Sequence, residues 1–305
     1  MCQSVKLILA VPFCLLFLFF SCSINIRSVQ EVKPDDKLIE KPEEKSEGKP
    51  EEQFEEKHKE EEITEKITEE AENIISVRLA NALSGSKLPR DIHEKIRENI
   101  LQSNDFINEL EAILLKDSYL WKLVDKEHPL GASYEPDDLV QLKNGSYTLN
   151  NNEILMLRGM AADSLEEMAA AARREGITLI ISYAYRSYTR QNQSYSMHVR
   201  NMGQREADRV SAKPGYSQHQ LGLTIDFGSV NNAFAGTPQG IWLSKNASRF
   251  GWSLSYPGGY EAVTGYNWES WHFRYVGVEL VEFIDKYFNG IQQFALRFIH
   301  EYVNF

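Results

Sequence analysis

The strongest constraint on this chain is a pair of segments about fifty residues apart, Ser217-Gln-His-Gln-Leu-Gly-Leu-Thr-Ile-Asp226 and Glu269-Ser-Trp-His-Phe-Arg-Tyr275. The first ends in an alternation of Leu221, Leu223, Ile225 and Phe227 against Gly222, Thr224 and Asp226, the pattern of a strand with one buried face. The second alternates too, setting His272 and Arg274 against Trp271, Phe273 and Tyr275. Side chains on a strand repeat with a period of two, so His219 and Asp226, seven apart, would face opposite ways on one unbroken strand. His219 is therefore expected in the turn after Pro214-Gly215, and Glu269, three residues before His272, in the loop leading into the second strand. The two segments supply two imidazoles and two carboxylates. A catalytic zinc needs three protein ligands and one open position, and a fourth group can handle the proton of the attacking water. The pattern points to a zinc hydrolase.

Outside these segments the pattern is mixed. Ile92, Ile96 and Ile100 fall at helical spacing, followed by a second stripe of Phe106, Leu110, Ile113 and Leu114. Asp163-Ser-Leu-Glu166 reads as a capping box opening a helix over 165–175 that stops at Gly176. An apolar strand is expected over 177–185. Helices interspersed with non-repeating strands argue for an α+β fold. His58, His93, His128, His198 and His300 lack comparable company and read as structural.

The N-terminal quarter differs in kind. Residues 7–20, LILAVPFCLLFLFF, are apolar, follow Lys6 and are too few to span a bilayer as a mature helix. They read as the core of an export signal. Ser21-Cys22-Ser23 then resembles a lipoprotein cleavage site, with Cys22 the lipidated first residue of an exported protein anchored in the membrane and facing the periplasm or cell wall. No cysteine follows Cys22, so the mature chain holds no disulfide framework. Residues 23–72 read as a disordered tether rich in Glu, Lys and Pro. It holds almost all of the chain's net charge of −11, and it has too few aliphatic side chains to offset the entropy of ordering. No basic patch suggests nucleic acid.

The pattern Ser-x-His-x-x-Gly-Leu-x-x-Asp, followed by Glu-x-Trp-His-Phe-Arg-Tyr-Val-Gly, resembles the zinc D-alanyl-D-alanine carboxypeptidases of VanY type and the related L,D-carboxypeptidases. The likeness extends to Leu123-Val-Asp-Lys-Glu-His-Pro-Leu130, Pro136-Asp-Asp-Leu-Val140, Tyr185-Arg-Ser187, Trp242-Leu243 and Thr264-Gly-Tyr266. It implies a small mixed, mainly antiparallel sheet flanked by helices, the hedgehog/D-Ala-D-Ala peptidase zinc fold, over 118–290. A helical region over 73–117 and a C-terminal helix over 291–305 would flank it.

By the same resemblance, His219, Asp226 and His272 would hold one zinc ion, Glu269 would be the general base, and Arg186 would polarise the scissile carbonyl or hold the substrate's terminal carboxylate. Ser187, Gln191, Ser217 and Trp271 match positions that contact substrate. The implied substrate is a peptidoglycan stem peptide, cleaved by a monomer, with a D,D bond favoured over an L,D one. Gln218, Ser270, Ser255 and the Tyr183-Ala184 pair depart from the family's common pattern, and Ser255 and Tyr183 are the positions at which the departure could alter the pocket. A cell-wall endopeptidase on the same fold and a non-catalytic wall-binding module are the competing expectations.

Overall fold

The computed structural model describes residues 50–150 and 153–304; the leader, Cys22 and the first part of the expected tether lie outside them. The chain opens with α1 (Pro50–Gly85), α2 (Arg90–Gln102), α3 (Asp105–Leu114) and the single turn α4 (Ser118–Trp121). The first helix begins at Pro50, inside the charged segment read as a tether. Glu and Lys are good helix formers, and pairs four apart support the helix, as with Lys66 Nζ on Glu62 Oε1 at 2.7 Å. A helical residue advances about 1.5 Å along the axis against about 3.4 Å for an extended one, which shortens the reach of this part.

The sheet lies in the middle of the chain. Strands β1 (Leu139–Gln141), β2 (Thr148–Leu149) and β3 (Met156–Arg158) lead into α5 (Gly159–Arg174) and then β4 (Ile180–Tyr183). Helix α5 begins at Gly159, directly after β3, and not at the expected Asp163 box. Helices α6 (Tyr188–Met202) and α7 (Gln204–Val210) precede β5 (Thr224–Phe227). Helix α8 (Pro238–Asn246), β6 (Trp252–Leu254), the turn α9 (Glu261–Thr264) and β7 (His272–Tyr275) complete this part. Five strands form one sheet in the order β2-β4-β5-β7-β6, antiparallel except for the β2–β4 pair, while β1 and β3 form a separate antiparallel ribbon. The fold is the expected α+β arrangement. One face of β5 presents Ile225 and Phe227 to a core shared with Leu165, Met168 and Ala172 of α5 and with Phe273 of β7.

A second core lies among the helices that flank the sheet. Helices α10 (Val278–Tyr287) and α11 (Gln292–Val303) end the chain. They pack with the N-terminal helices, α11 falling where a C-terminal helix is expected. Leu79, Ile92, Ile96, Phe106 and Leu110 share one apolar cluster with Leu280, Phe283, Phe294 and Phe298. Between the two cores sits Arg274, fully buried on β7, whose Nη2 donates to the carbonyls of Tyr119, Leu120 and Lys122 at 3.1, 3.0 and 2.9 Å. These are carbonyls left open where α4 ends. Burial lowers the pKa of this guanidinium to about 10.

Candidate metal centre

Strand register brings the first two groups together. Asp226 and His272 are directly opposed Cα partners on β5 and β7, and opposed residues of an antiparallel pair project to the same face. His219 arrives from a 3-10 turn over Gln218–Leu221 that closes on Gly222. Gly222 has φ 71°, a left-handed conformation that favours glycine, and a Cβ there would crowd Leu139 Cδ2 at 2.9 Å and Pro136 Cγ at 3.1 Å. The turn is pinned to the end of β4: Arg186 N donates to His219 O at 3.2 Å, and His219 Nδ1 donates to Ala184 O at 2.7 Å. Glu269 comes from the loop before β7, where its N donates to Tyr256 O at 3.0 Å. Two groups from strands and two from the preceding turn and loop is the division that the period-two argument requires.

The donor atoms suit a small tetrahedral cation. His219 Nε2 lies 3.2 Å from Asp226 Oδ2, and His272 Nδ1 lies 3.1 Å from Asp226 Oδ1. One ligand atom from each of the three falls within 4.8 Å of the others. A tetrahedral zinc with bonds of about 2.1 Å implies ligand atoms about 3.4 Å apart, close to these spacings. Asp226 Oδ1 is buried and makes no hydrogen bond, although His272 Nδ1 lies 3.1 Å away. A buried carboxylate oxygen without a donor is costly unless a cation completes it.

Electrostatics sort the four groups into roles. Burial raises the proton affinity of Asp226, but the two imidazoles facing it outweigh this and hold its carboxyl well below the usual range. Burial lowers the pKa of His272 to about 4, so its ring is neutral, the form that binds metals. Glu269 moves the other way. Burial and then the neighbouring Asp226 charge push its carboxyl well above the ordinary value, and Arg186 only partly opposes them. Two carboxylates with proton affinities driven apart are what an anionic ligand beside a proton-accepting base requires.

The centre opens into a cleft of about 870 Å³ lined in part by Arg186, Gln191, Ser217, Glu269 and Trp271. Arg186 Nη2 stands 3.9 Å from Asp226 Oδ2, and its Nη1 donates to Gln191 Oε1 at 3.0 Å. Gln191, itself buried, passes its other end to Ala212 O at 2.6 Å, so it holds the guanidinium in place. Ser217 starts the His219 turn by accepting from His219 N. Ser187 caps α6, its hydroxyl accepting from Arg190 N at 3.3 Å, and it does not line the cleft. Tyr183 does border the cleft, whereas Ser255 is buried behind the centre with its hydroxyl donating to Gln218 Oε1 at 2.7 Å. Tyr256 was not legible in advance. Its ring centroid lies 4.6 Å from that of His272 and walls the cleft there. His128 pairs with buried Asp125 at 2.7 Å, a structural role.

The family model for VanY, D-alanyl-D-alanine carboxypeptidase, matches residues 155–278, a span that holds all four central residues and Arg186. YodJ of Bacillus subtilis (strain 168), a protein that bears a carboxypeptidase name, is 34% identical over 201 residues, which cover 61% of this chain and 73% of that protein. A D-alanyl-D-alanine carboxypeptidase of Enterococcus faecalis (strain ATCC 700802 / V583) is 32% identical over 174 residues, 53% of this chain and 61% of the relative. Among solved structures, the LdcB LD-carboxypeptidase aligns with a TM-score of 0.50 at 35% identity, covering 55% of this chain and 85% of that chain.

Proposed function

The chain belongs to the VanY D-alanyl-D-alanine carboxypeptidase family, and from that premise we propose that it is a zinc carboxypeptidase removing the terminal D-alanine from peptidoglycan stem peptides, with a preference for the D,D bond. The observation that carries the reading is the convergence of His219, Asp226, His272, Glu269 and Arg186 on one cleft. His219, Asp226 and His272 would hold one zinc ion. When bound, zinc supplies Lewis acidity, bringing the pKa of a coordinated water to about 7 and polarising a carbonyl.

The chain's own residues do the rest. Glu269, with its raised proton affinity, accepts the proton of the attacking water and returns it to the leaving amine. Arg186 carries a permanent forked charge, held at the cleft by Gln191, that suits a terminal carboxylate or the oxygen of the scissile carbonyl. Its place beside the centre favours release of a single C-terminal residue over cleavage within a chain. We assign the charged segment and Cys22 to a lipid-anchored tether that carries the enzyme to the cell wall.

Mass spectrometry of stem peptides decides the reading. A pentapeptide ending in D-Ala-D-Ala should lose one D-alanine, the tetrapeptide should react more slowly, and a pentapeptide with an amidated C-terminus should be nearly inert. Equal cleavage of the amidated peptide would show an endopeptidase, and faster reaction of the tetrapeptide an L,D-carboxypeptidase.

A further inference from the structure

Two segments that the chemistry of the centre leaves unused meet beside the cleft. Lys126, from Leu123-Val-Asp-Lys-Glu-His-Pro-Leu130, lies against Thr264-Gly-Tyr266. Its stem crosses Gly265, where a Cβ would lie 2.8 Å from Lys126 Cδ, and its ammonium stands 4.6 Å from the centre of the Tyr266 ring. Lys126 Nζ also donates to Asp208 O at 2.6 Å, a carbonyl left open in the last turn of α7. Three groups thus hold the side chain in one pose, and none of them carries a negative charge. Among the described residues no carboxylate comes within ion-pair distance of Lys126. The carboxylate of Asp208 is engaged elsewhere, by Tyr195 OH at 2.6 Å and Lys213 Nζ at 3.9 Å.

Lys126, Lys213, Asp208, Ser211, Tyr216 and Tyr266 line a pocket of about 100 Å³. Ser211 and Tyr266 also line the main cleft, so the pocket is a side branch of it. Stacked rings connect the branch to the centre: Tyr266 lies 4.9 Å from Tyr256, and Tyr256 4.6 Å from His272, between centroids. An exopeptidase leaves a single residue on the carboxyl side of the scissile bond, so a substrate group that reaches this branch lies on the amino side. At about 3.4 Å per extended residue, it belongs about two or three residues before the cleaved bond.

We propose that this side branch is a carboxylate subsite, in which Lys126, with Lys213 beside it, binds an acid group of the substrate upstream of the scissile bond. An ammonium has three donors; the Asp208 carbonyl takes one and leaves others for a ligand. The lining sets two cations against one anion, so it attracts a carboxylate and repels an amine. The pose is fixed before substrate arrives, which spares the cost of ordering a long side chain on binding. The proposal rests on the carboxypeptidase reading and names the part of the stem peptide that the cleft would recognise beyond its terminus. A stem offers two such acids, the α-carboxylate of a γ-linked glutamate and the side-chain carboxylate of an acidic diamino acid.

Steady-state kinetics of the full chain on four pentapeptides ending in D-Ala-D-Ala tests this. One carries both acids, one has the glutamate α-carboxylate amidated, one has lysine as the diamino acid, and one has both changes. The wild type should lose about 10-fold in kcat/KM, mostly through KM, when one of the two acids is removed, the size of one charge-assisted hydrogen bond. Whether the amidated or the lysine peptide shows the loss identifies the source. Lys126→Met keeps the stem and removes the charge, and should bring the acid-bearing peptide down to the level of the neutral one. Lys213→Met should narrow the preference about 3-fold, and carries the test if Lys126→Met fails to fold. A wild type that treats all four peptides alike, or a preference that survives in the methionine variants, overturns the subsite and leaves Lys126 as a tie to α7. Turnover of none of the four by the wild type overturns the carboxypeptidase reading and the subsite with it.

Discussion

Asp226 and His272 face each other as direct Cα partners across β5 and β7, with Asp226 Oδ1 3.1 Å from His272 Nδ1. Sheet register thus fixes half of the centre, and a slip of one residue would turn one of the pair to the opposite face of the sheet. Asp226 also meets His219 at 3.2 Å, so it is the group common to both imidazoles. Asp226→Ala is expected to reduce zinc from about one ion per chain to background, and turnover with it. Metal analysis of the purified variant checks this, and full occupancy would remove Asp226 from the ligand set.

Arg186 makes its own prediction. Its forked guanidinium is held by Gln191 at 3.0 Å, and a lysine cannot reproduce two parallel donors. Arg186→Ala should lower kcat/KM about 10²- to 10³-fold, the range for losing a donor to developing charge. Arg186→Lys should recover little, with zinc content unchanged in both. Steady-state kinetics on the free-acid and amidated peptides would show the loss confined to the free acid if Arg186 binds the terminal carboxylate.

The helical core can be tested apart from the chemistry. Phe106 is fully buried, with ring centroids at 4.8 Å from Tyr287, 5.0 Å from Phe283 and 5.4 Å from Phe298. Phe106→Ala should cost about 3–5 kcal/mol in denaturant unfolding, from lost transfer energy and the cavity left behind. The folded variant should still bind zinc, since no group of the centre touches this ring.

Asp125 supplies a pH dependence. Burial raises the affinity of its carboxyl for a proton, but the Glu127 N–H, His128 and Arg297 outweigh this and lower its pKa. It also accepts from Gln293 Nε2 at 2.7 Å, tying α11 to the segment before β1. A carboxyl depressed by folding contributes stability above its unfolded value near 4, and that contribution is lost as pH falls toward the folded value. Asp125→Asn should cost about 1–3 kcal/mol at pH 7. Urea unfolding at pH 7 and pH 3 should show the gap between wild type and variant narrowing in acid, and a gap that widens would contradict this sign.

Much of the site was legible in the chain because strand parity acts locally: the alternation of Leu221 to Phe227 places Asp226, and the seven-residue spacing puts His219 in a turn. What stayed hidden depends on contacts between distant segments. Gln218, Ser255 and Gln292 meet although 37 and 74 residues separate the latter two from the first, and nothing local to any of them names its partner. The stripes of α2 and α3 announced buried faces without saying that α10 and α11 would cover them. Ser187 carried an ambiguous signal, since a hydroxyl before a helix serves equally as cap or substrate contact, and the Arg190 N–H takes it. The charged segment read as disordered because its composition denies it a core, yet a helix needs only local bonds and favourable pairs.

The central claim is that His219, Asp226 and His272 hold the metal while Glu269 handles the proton, and zinc content measured beside turnover in Glu269→Gln tests it most directly. Glu269 stands 3.3 Å from His272 and is assigned no bond to zinc. The variant should keep about one zinc per chain and lose about 10²- to 10⁴-fold in kcat. Turnover close to wild type, or loss of the zinc together with activity, would contradict the division of roles.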